Sequence, residues 1–172
     1  MIAKDRDFTT ADLHWSSWPA GEKPYQWINP APEGTPKTNL SVEVRKAEIT
    51  DIRGKEGFTL DKTGFEALYN EPTSLKYEDF DDESKVTSTY YKEVEEILKK
   101  ATGAHRVVLF DHTIRRHHPD DTPDTPQTRR PVSRTHVDQT PKSGIERVHR
   151  HLGDEAEELL KGRVRLINVR RG

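Results

Sequence analysis

The sequence predicts an α+β fold in which strands outnumber helices. Three observations carry this reading. "SVEVRKAEI" from Ser41 to Ile49 alternates through Val42 and Val44, the period of a half-buried strand. Two β-branched, apolar runs lie at 106–110 and 164–169. Ahead of both, 82–100 spaces its apolar residues for one face of a helix.

At 172 residues, the chain has room for one domain with a core. Its 31% hydrophobic and 34% charged residues make a lean core and point to irregular segments. Three Trp, five Tyr and five Phe argue against disorder throughout. A net charge of −2 without a long basic block speaks against a nucleic-acid partner. The absence of cysteine excludes disulfides, thiolate metal sites and Cys nucleophiles, and fits a reducing, cytoplasmic setting. No apolar stretch has the length of a signal-peptide core or a membrane span.

Taken in order, residues 1–40 read as an extended N-terminal arm. Five prolines and three tryptophans between His14 and Leu40 suit an ordered coil that docks aromatic rings onto a body. The body, 41–172, opens with the strand at Ser41–Ile49 and a turn at "DIRG". The helix over 82–100 presents Val86, Tyr90, Val94, Ile97 and Leu98, with acidic residues before it, Lys99 and Lys100 at its end and Gly103 as its stop. "HRVVLFDHTIRR" then reads as a buried strand, and 117–130, rich in Pro, Asp and Thr, as a flexible loop. Ser143 and Glu146 have capping-box spacing ahead of Ile145, Val148 and Leu152. That helix breaks near Gly153, a second helical piece ends at Gly162, and "RVRLINV" reads as a final strand.

The chemistry concentrates in "RPVSRTHVDQT", Arg130 to Thr140. On a strand, residues two apart share a face, so His136 and Asp138 converge on one point. An imidazole, a carboxylate and a second imidazole form the facial triad of non-haem Fe(II) oxygenases. The same pair also suits a polar strand face turned to solvent, and H-x-D alone does not separate the two.

The stretches "TNLSVEVRKAEITDIRG", "FTLDKTGF", "YYKEVEEILKKATGAHRVVLFDHTIRR", "PVSRTHVDQT", "IERVHRHL" and "AEELLKGRVRLINV" cover most of 38–169. In order and spacing they resemble the fungal hydroxylase/desaturase family of secondary metabolism, whose relatives include gibberellin desaturases and the cephamycin 7-alpha-methoxylase type. The resemblance implies the N-terminal part of a double-stranded β-helix, or jelly roll, with flanking helices. It also implies Fe(II) as the metal, 2-oxoglutarate as co-substrate and a small secondary metabolite as substrate, with His136 and Asp138 matching the first two iron ligands.

Family chains are longer. The resemblance places the third ligand, a distal His, and the basic group that anchors 2-oxoglutarate in a second half, so the expectation is a chain truncated at its C-terminus. Arg171 aligns with a family Arg. His112, Arg134 and Arg171 are candidates for supporting the metal site or meeting substrate, the plain alternative for His112 being a hydrogen-bonded strand histidine. Arg115, Arg116, Arg129 and Arg130 either attract a carboxylated substrate or are exposed charges. His149 and His151 fall in a helix and suit packing, and His117 and His118 with Asp120 and Asp121 suit a solvated loop better than a metal. Two functional readings stay open. One is a hydroxylase/desaturase; the other is a catalytically silent relative, acting as a binding protein or arising from a shortened gene. Strands left without partners also predict self-association or a partner chain.

Overall fold

A computed structural model of the protein describes residues 7–27, 29–116, 119, 122, 132 and 134–171. It divides into two compact units: Met1–Gly54 with Pro131–Asp138, and Lys55–Arg130 with Gln139–Gly172.

The first unit is built on an antiparallel ribbon. Strand β1, Phe8–Ser17, pairs with β2, Ser41–Thr50, in a register running from Phe8 opposite Thr50 to Ser17 opposite Ser41. Thr, Val and Ile crowd their own side chains in a helix and relax in a pleat, which is why these segments extend. Polar contacts close both ends: the Ser17 and Ser41 hydroxyls meet at 2.8 Å, and the Asp51 amide donates to the Asp7 carbonyl at 2.8 Å. Strand β1 lies inside the stretch read as an arm, and the ordered coil begins only after it. That coil is tied by the Trp27 amide donating to the Lys37 carbonyl (2.9 Å) and the Tyr25 amide donating to Asn39 Oδ1 (2.9 Å). Docking of the aromatic rings is not what the structure shows, since Trp15, Trp18 and Trp27 are all exposed. The Trp15 ring instead faces the Arg45 guanidinium at 6.0 Å, a cation-π contact that needs no burial.

The second unit is helical. A single turn, α1 (Leu60–Thr63), stops at Gly64, whose φ of 77° suits a residue without Cβ. A 3₁₀ turn at Tyr77–Asp81 leads into α2 (Glu83–Lys85), a π turn (Val86–Tyr90) and α3 (Tyr91–Thr102). These last three make one continuous run where the sequence predicts a helix. Asp82 caps its start by accepting from the Ser84 amide at 2.9 Å, and Gly103, at φ 68°, ends it by donating to the Lys99 carbonyl at 2.9 Å. Val86 and Val94, two turns apart, are 1% and 4% exposed, and Tyr90 and Leu98 are half-buried, so the predicted face is the one that packs.

Helix α4 (Pro141–Leu152) begins one turn before its predicted cap. Thr140 is the N-cap, and Ser143, expected in that role, sits at the third helical position and bonds back to Thr140. Pro141 explains the shift, because its fixed φ and missing N–H suit the first helical position. The break at Gly153 occurs as expected, through a 3₁₀ turn (Gly153–Glu155) into α5 (Ala156–Leu159).

Two predicted strands do not form. The described part of "HRVVLFDHTIRR" and "RVRLINV" has no regular structure, and the sheet among the described residues consists of β1 and β2. A strand needs a partner for its backbone donors and acceptors. Lacking one, these segments are held by side chains. Phe110 stacks on His151 at 4.5 Å, Arg106 pairs with Glu155 at 2.6 Å, and Arg163 and Arg165 both donate to Asp61. The fold is thus a small antiparallel sheet with helices, and the described residues do not close a jelly roll. No helix among them is long and apolar enough to cross a membrane. The loop at 117–130 lies almost wholly outside the described residues.

Candidate metal centre

The segment before His136 is fixed by the ribbon. Arg134 forms a parallel bridge with His14 in β1, and the Thr135 amide donates to the His14 carbonyl at 2.8 Å. Beyond Arg134 the backbone is not a regular strand, and it bends at Asp138. The expectation of one strand carrying both residues is therefore corrected: with the α4 cap at Thr140 close behind, only a short extended run fits before the chain turns. The two side chains still meet. His136 Nε2 lies 3.1 Å from Asp138 Oδ1, with both groups half-exposed.

The other ring nitrogen is held by the backbone. His136 Nδ1 is 2.7 Å from the Arg134 carbonyl oxygen. A carbonyl only accepts, so Nδ1 carries the hydrogen and donates it. In the neutral ring, Nε2 then presents its lone pair to the lone pairs of the Asp138 carboxylate. Two acceptors facing each other at this distance repel unless a cation, a proton or a metal ion, lies between them. A histidine that donates one N–H to a backbone carbonyl and offers the other nitrogen is the usual form of a metal-ligating histidine. Two donor atoms, each about 2.1 Å from a divalent transition metal and at right angles, lie about 3.0 Å apart. The pair fits two adjacent positions on such an ion. Among the described residues, no group of three or more His, Asp or Glu is arranged to hold a metal.

The other candidates divide between the two units. Arg134 is in the sheet unit, where its backbone serves twice: in the bridge to His14 and as acceptor for His136. His112 and Arg171 are in the helical unit. His112 Nδ1 is 2.8 Å from the Tyr91 hydroxyl and Nε2 is 3.2 Å from Glu83 Oε2, so the ring links two residues of the long helix. Burial, with the charges of Glu83 and Asp111 nearby, pushes the Tyr91 phenol above its ordinary range, and Tyr91 stays a proton donor. Arg171 lies over the Tyr90 ring at 5.3 Å and donates to the Glu71 carbonyl at 2.9 Å. It reads as a structural cation of this unit.

Arg116 is likewise taken up, by Asp81 at 2.9 Å and by the Tyr77 ring at 4.4 Å. His149 lies 3.8 Å from Glu157, and His151 packs on Phe110, in keeping with packing roles. Arg129, Arg130, His117, His118, Asp120 and Asp121 lie outside the described residues. Sequence reasoning did not find the Arg134 carbonyl or His14 as supports of His136, since neither role depends on side-chain type. Tyr91 was legible in principle, as a polar residue beside the apolar face of a helix.

His136 and Asp138 thus form a candidate two-ligand site beside the small sheet, and the comparisons with known proteins bear on the family. Residues 13–172 match the family described as "Oxidoreductase/YMDC permease-like domain", and the chain belongs to that family. It is related to fungal dioxygenases and hydroxylase/desaturases, as the sequence implied. The alpha-ketoglutarate-dependent dioxygenase tstK of Talaromyces stipitatus is 32% identical, over 89% of this chain and 60% of its own. The hydroxylase/desaturase poxK of Penicillium oxalicum is 34% identical, over 94% of this chain and 50% of its own. Among solved structures, the iron and alpha-ketoglutarate-dependent endoperoxidase NvfI superposes with a TM-score of 0.74 at 25% identity, covering 91% of this chain and 56% of that one. The chain therefore spans about half the length of the relatives it matches.

Proposed function

We propose that this chain is part of a non-haem Fe(II), 2-oxoglutarate-dependent oxidoreductase, a hydroxylase or desaturase acting on a small secondary metabolite, with His136 Nε2 and Asp138 Oδ1 as two of its iron ligands. The observation that carries the reading is the approach of His136 Nε2 to Asp138 Oδ1 at 3.1 Å, with the imidazole's other nitrogen tied to the Arg134 carbonyl. The names of tstK, poxK and NvfI support the cofactor and the reaction class. The likeness to NvfI supports a jelly roll to which β1 and β2 contribute.

Fe(II), when bound, supplies O₂ activation, with 2-oxoglutarate as the source of the other electrons. The chain's own contribution is positional. The bridge at His14 holds Arg134, the Arg134 carbonyl fixes the His136 tautomer, and the bend at Asp138 brings the carboxylate alongside. A facial triad needs one more imidazole, which the described residues do not bring to this point. The second reading is a binding protein without turnover.

Anaerobic titration with Fe(II), or with Co(II) followed by its visible absorption, tests the metal role. One equivalent should bind, and His136→Ala and Asp138→Ala should each weaken binding by at least about 10–100-fold, the loss associated even with supporting groups. Equal affinity in all three proteins rejects the site. Fe(II)-dependent succinate formation from 2-oxoglutarate, abolished by His136→Ala, then separates the enzyme from the silent binder.

A further inference from the structure

We infer that Tyr91 is a base-assisted acyl-acceptor site: its hydroxyl takes acyl groups from donors with a good leaving group, with His112 as the base and Glu83 positioning that base. A nucleophile, a base and an orienting carboxylate within hydrogen-bond reach of one another form the arrangement that activates a weak nucleophile. Here the Tyr91 hydroxyl lies 2.8 Å from His112 Nδ1, and His112 Nε2 lies 3.2 Å from Glu83 Oε2. The Tyr91 and His112 rings meet edge-on, with centroids 5.6 Å apart. All three residues belong to the helical unit, whereas the candidate iron ligands belong to the other.

The direction of the two hydrogen bonds follows from the groups. A carboxylate only accepts, so Nε2 carries the ring hydrogen and donates it to Glu83. In the neutral ring Nδ1 is then an acceptor, and the Tyr91 hydroxyl donates to it. The tyrosine proton thus already points at the atom that takes it. The helix is shaped to make this meeting. Eight residues carry an α-helix about 80° beyond two full turns, which sets Glu83 and Tyr91 on different sides of a regular helix. Between them stands the π turn Val86–Tyr90, where the Tyr91 amide donates to the Val86 carbonyl. A π turn takes up an extra residue, and both side chains reach one imidazole.

The transfer balances with the acyl donor alone. The Tyr91 oxygen bonds to the donor's carbonyl carbon as its proton passes to Nδ1, the bond to the leaving group breaks, and His112 hands the proton to that group. Glu83, against Nε2, meets the positive charge that the ring holds in between. Burial and the charges of Glu83 and Asp111 keep the phenol protonated, so attack depends on the base and not on free phenolate.

N-acetylimidazole tests the site on the 172-residue protein, with peptide mapping by mass spectrometry. Tyr69 and Tyr77, 56% and 66% exposed, are internal comparators, because plain accessibility favours them over half-buried Tyr91. At neutral pH, Tyr91 should acetylate at least tenfold faster than either, a part of the about 10²–10⁴-fold that positioned proton transfer supplies. His112→Gln should remove that advantage and leave Tyr69 and Tyr77 unchanged. In the unsubstituted protein the Tyr91 rate should level off with rising pH once the ring is neutral, whereas in His112→Gln it should keep climbing with phenol ionisation. Glu83→Ala should slow Tyr91 and, by nitrogen-15 NMR, abolish the preference of His112 for a protonated Nε2. Tyr91 reacting no faster than Tyr69 and Tyr77 overturns the proposal, and this comparison within one protein decides even where His112→Gln does not fold. An advantage that survives His112→Gln, or the same rate–pH curve in both proteins, overturns it as well. Unchanged rate and tautomer in Glu83→Ala reject the role of Glu83.

Discussion

Val86, Val94, Val148 and Ala156, the buried hydrophobic residues among those described, all belong to the helical unit, whereas no described residue of the unit carrying His136 and Asp138 is buried. The helical unit is organised by apolar area removed from water, helped by caps at Asp82, Gly103 and Thr140. The sheet unit is organised by a ladder of backbone hydrogen bonds and by polar contacts at its ends. An isolated two-stranded ribbon is marginal in water, so this unit has the more to gain from a metal ion. The comparison teaches that the candidate site sits in the part of the molecule least able to hold its own shape. Metal and structure should therefore be coupled there and uncoupled in the helical unit.

The largest effect should follow from metal at the sheet unit. A ligand that binds only the folded site stabilises it by about 2.7 kcal/mol at a hundred times its dissociation constant. Exchange of the Thr135 amide, which donates to the His14 carbonyl, should slow about 100-fold on addition of Co(II) to that level. Removal by a chelator should reverse the effect, and His136→Ala should eliminate it. Equal slowing of the α3 amides would dissolve the distinction between the units.

Next in size is the helical core. Val86→Ala removes two methyl groups at a site 1% exposed and should cost about 2 kcal/mol, from lost transfer free energy plus the cavity left behind. A lower urea midpoint by far-UV circular dichroism, with metal affinity unchanged, sharpens the comparison; a matching loss of metal affinity breaks it. Thr140→Ala should cost less, about 1 kcal/mol, because it removes the acceptor of the Ser143 amide at 3.2 Å and leaves the helix otherwise intact. Thr140 stands only two residues after Asp138, so any change in metal affinity in this variant would show that α4 helps to place the carboxylate.

The elements legible in the sequence were those whose signal is local. The run from 83 to 102 declared itself by apolar spacing, charge order and Gly103, and β2 by alternation. Both of the unformed strands, near 106–110 and 164–169, had the right composition, but composition does not supply a partner, and β-structure depends on context more than helix does. The pairing of β1 with β2 was missed for the same reason, since nothing in "FTTADLHWSS" announces which strand it will meet. At the candidate site, type and spacing single out His136 and Asp138, whose side chains meet at 3.1 Å. Their supports were not legible, because a carbonyl at 134 and a backbone bridge to His14 look the same in any sequence.

The smallest effect expected is a dependence on acidity in the helical unit. Glu93 accepts from the Thr73 hydroxyl at 2.6 Å and from the Ser74 amide at 2.8 Å, with Arg171 4.0 Å away. Burial pushes its carboxyl up, but the hydrogen bonds from Ser74 and Thr73 and the charge of Arg171 outweigh that and hold it below its ordinary 4.5. A carboxylate whose folded pKa is depressed binds protons more readily when unfolded. Its stabilising contribution is complete above the unfolded value and fades as the pH falls through the folded one. Glu93→Gln keeps one acceptor oxygen and removes the charge, so the wild-type protein should melt slightly higher than this variant at pH 7. The gap should hold down to about pH 5 and close below 4.5 as Glu93 becomes protonated. Thermal melts of both proteins across pH 7 to 3 measure it. A gap independent of pH would mean that Glu93 acts by shape alone, and that hydrogen bonds to a charge stabilise the helical unit no more than they do the sheet.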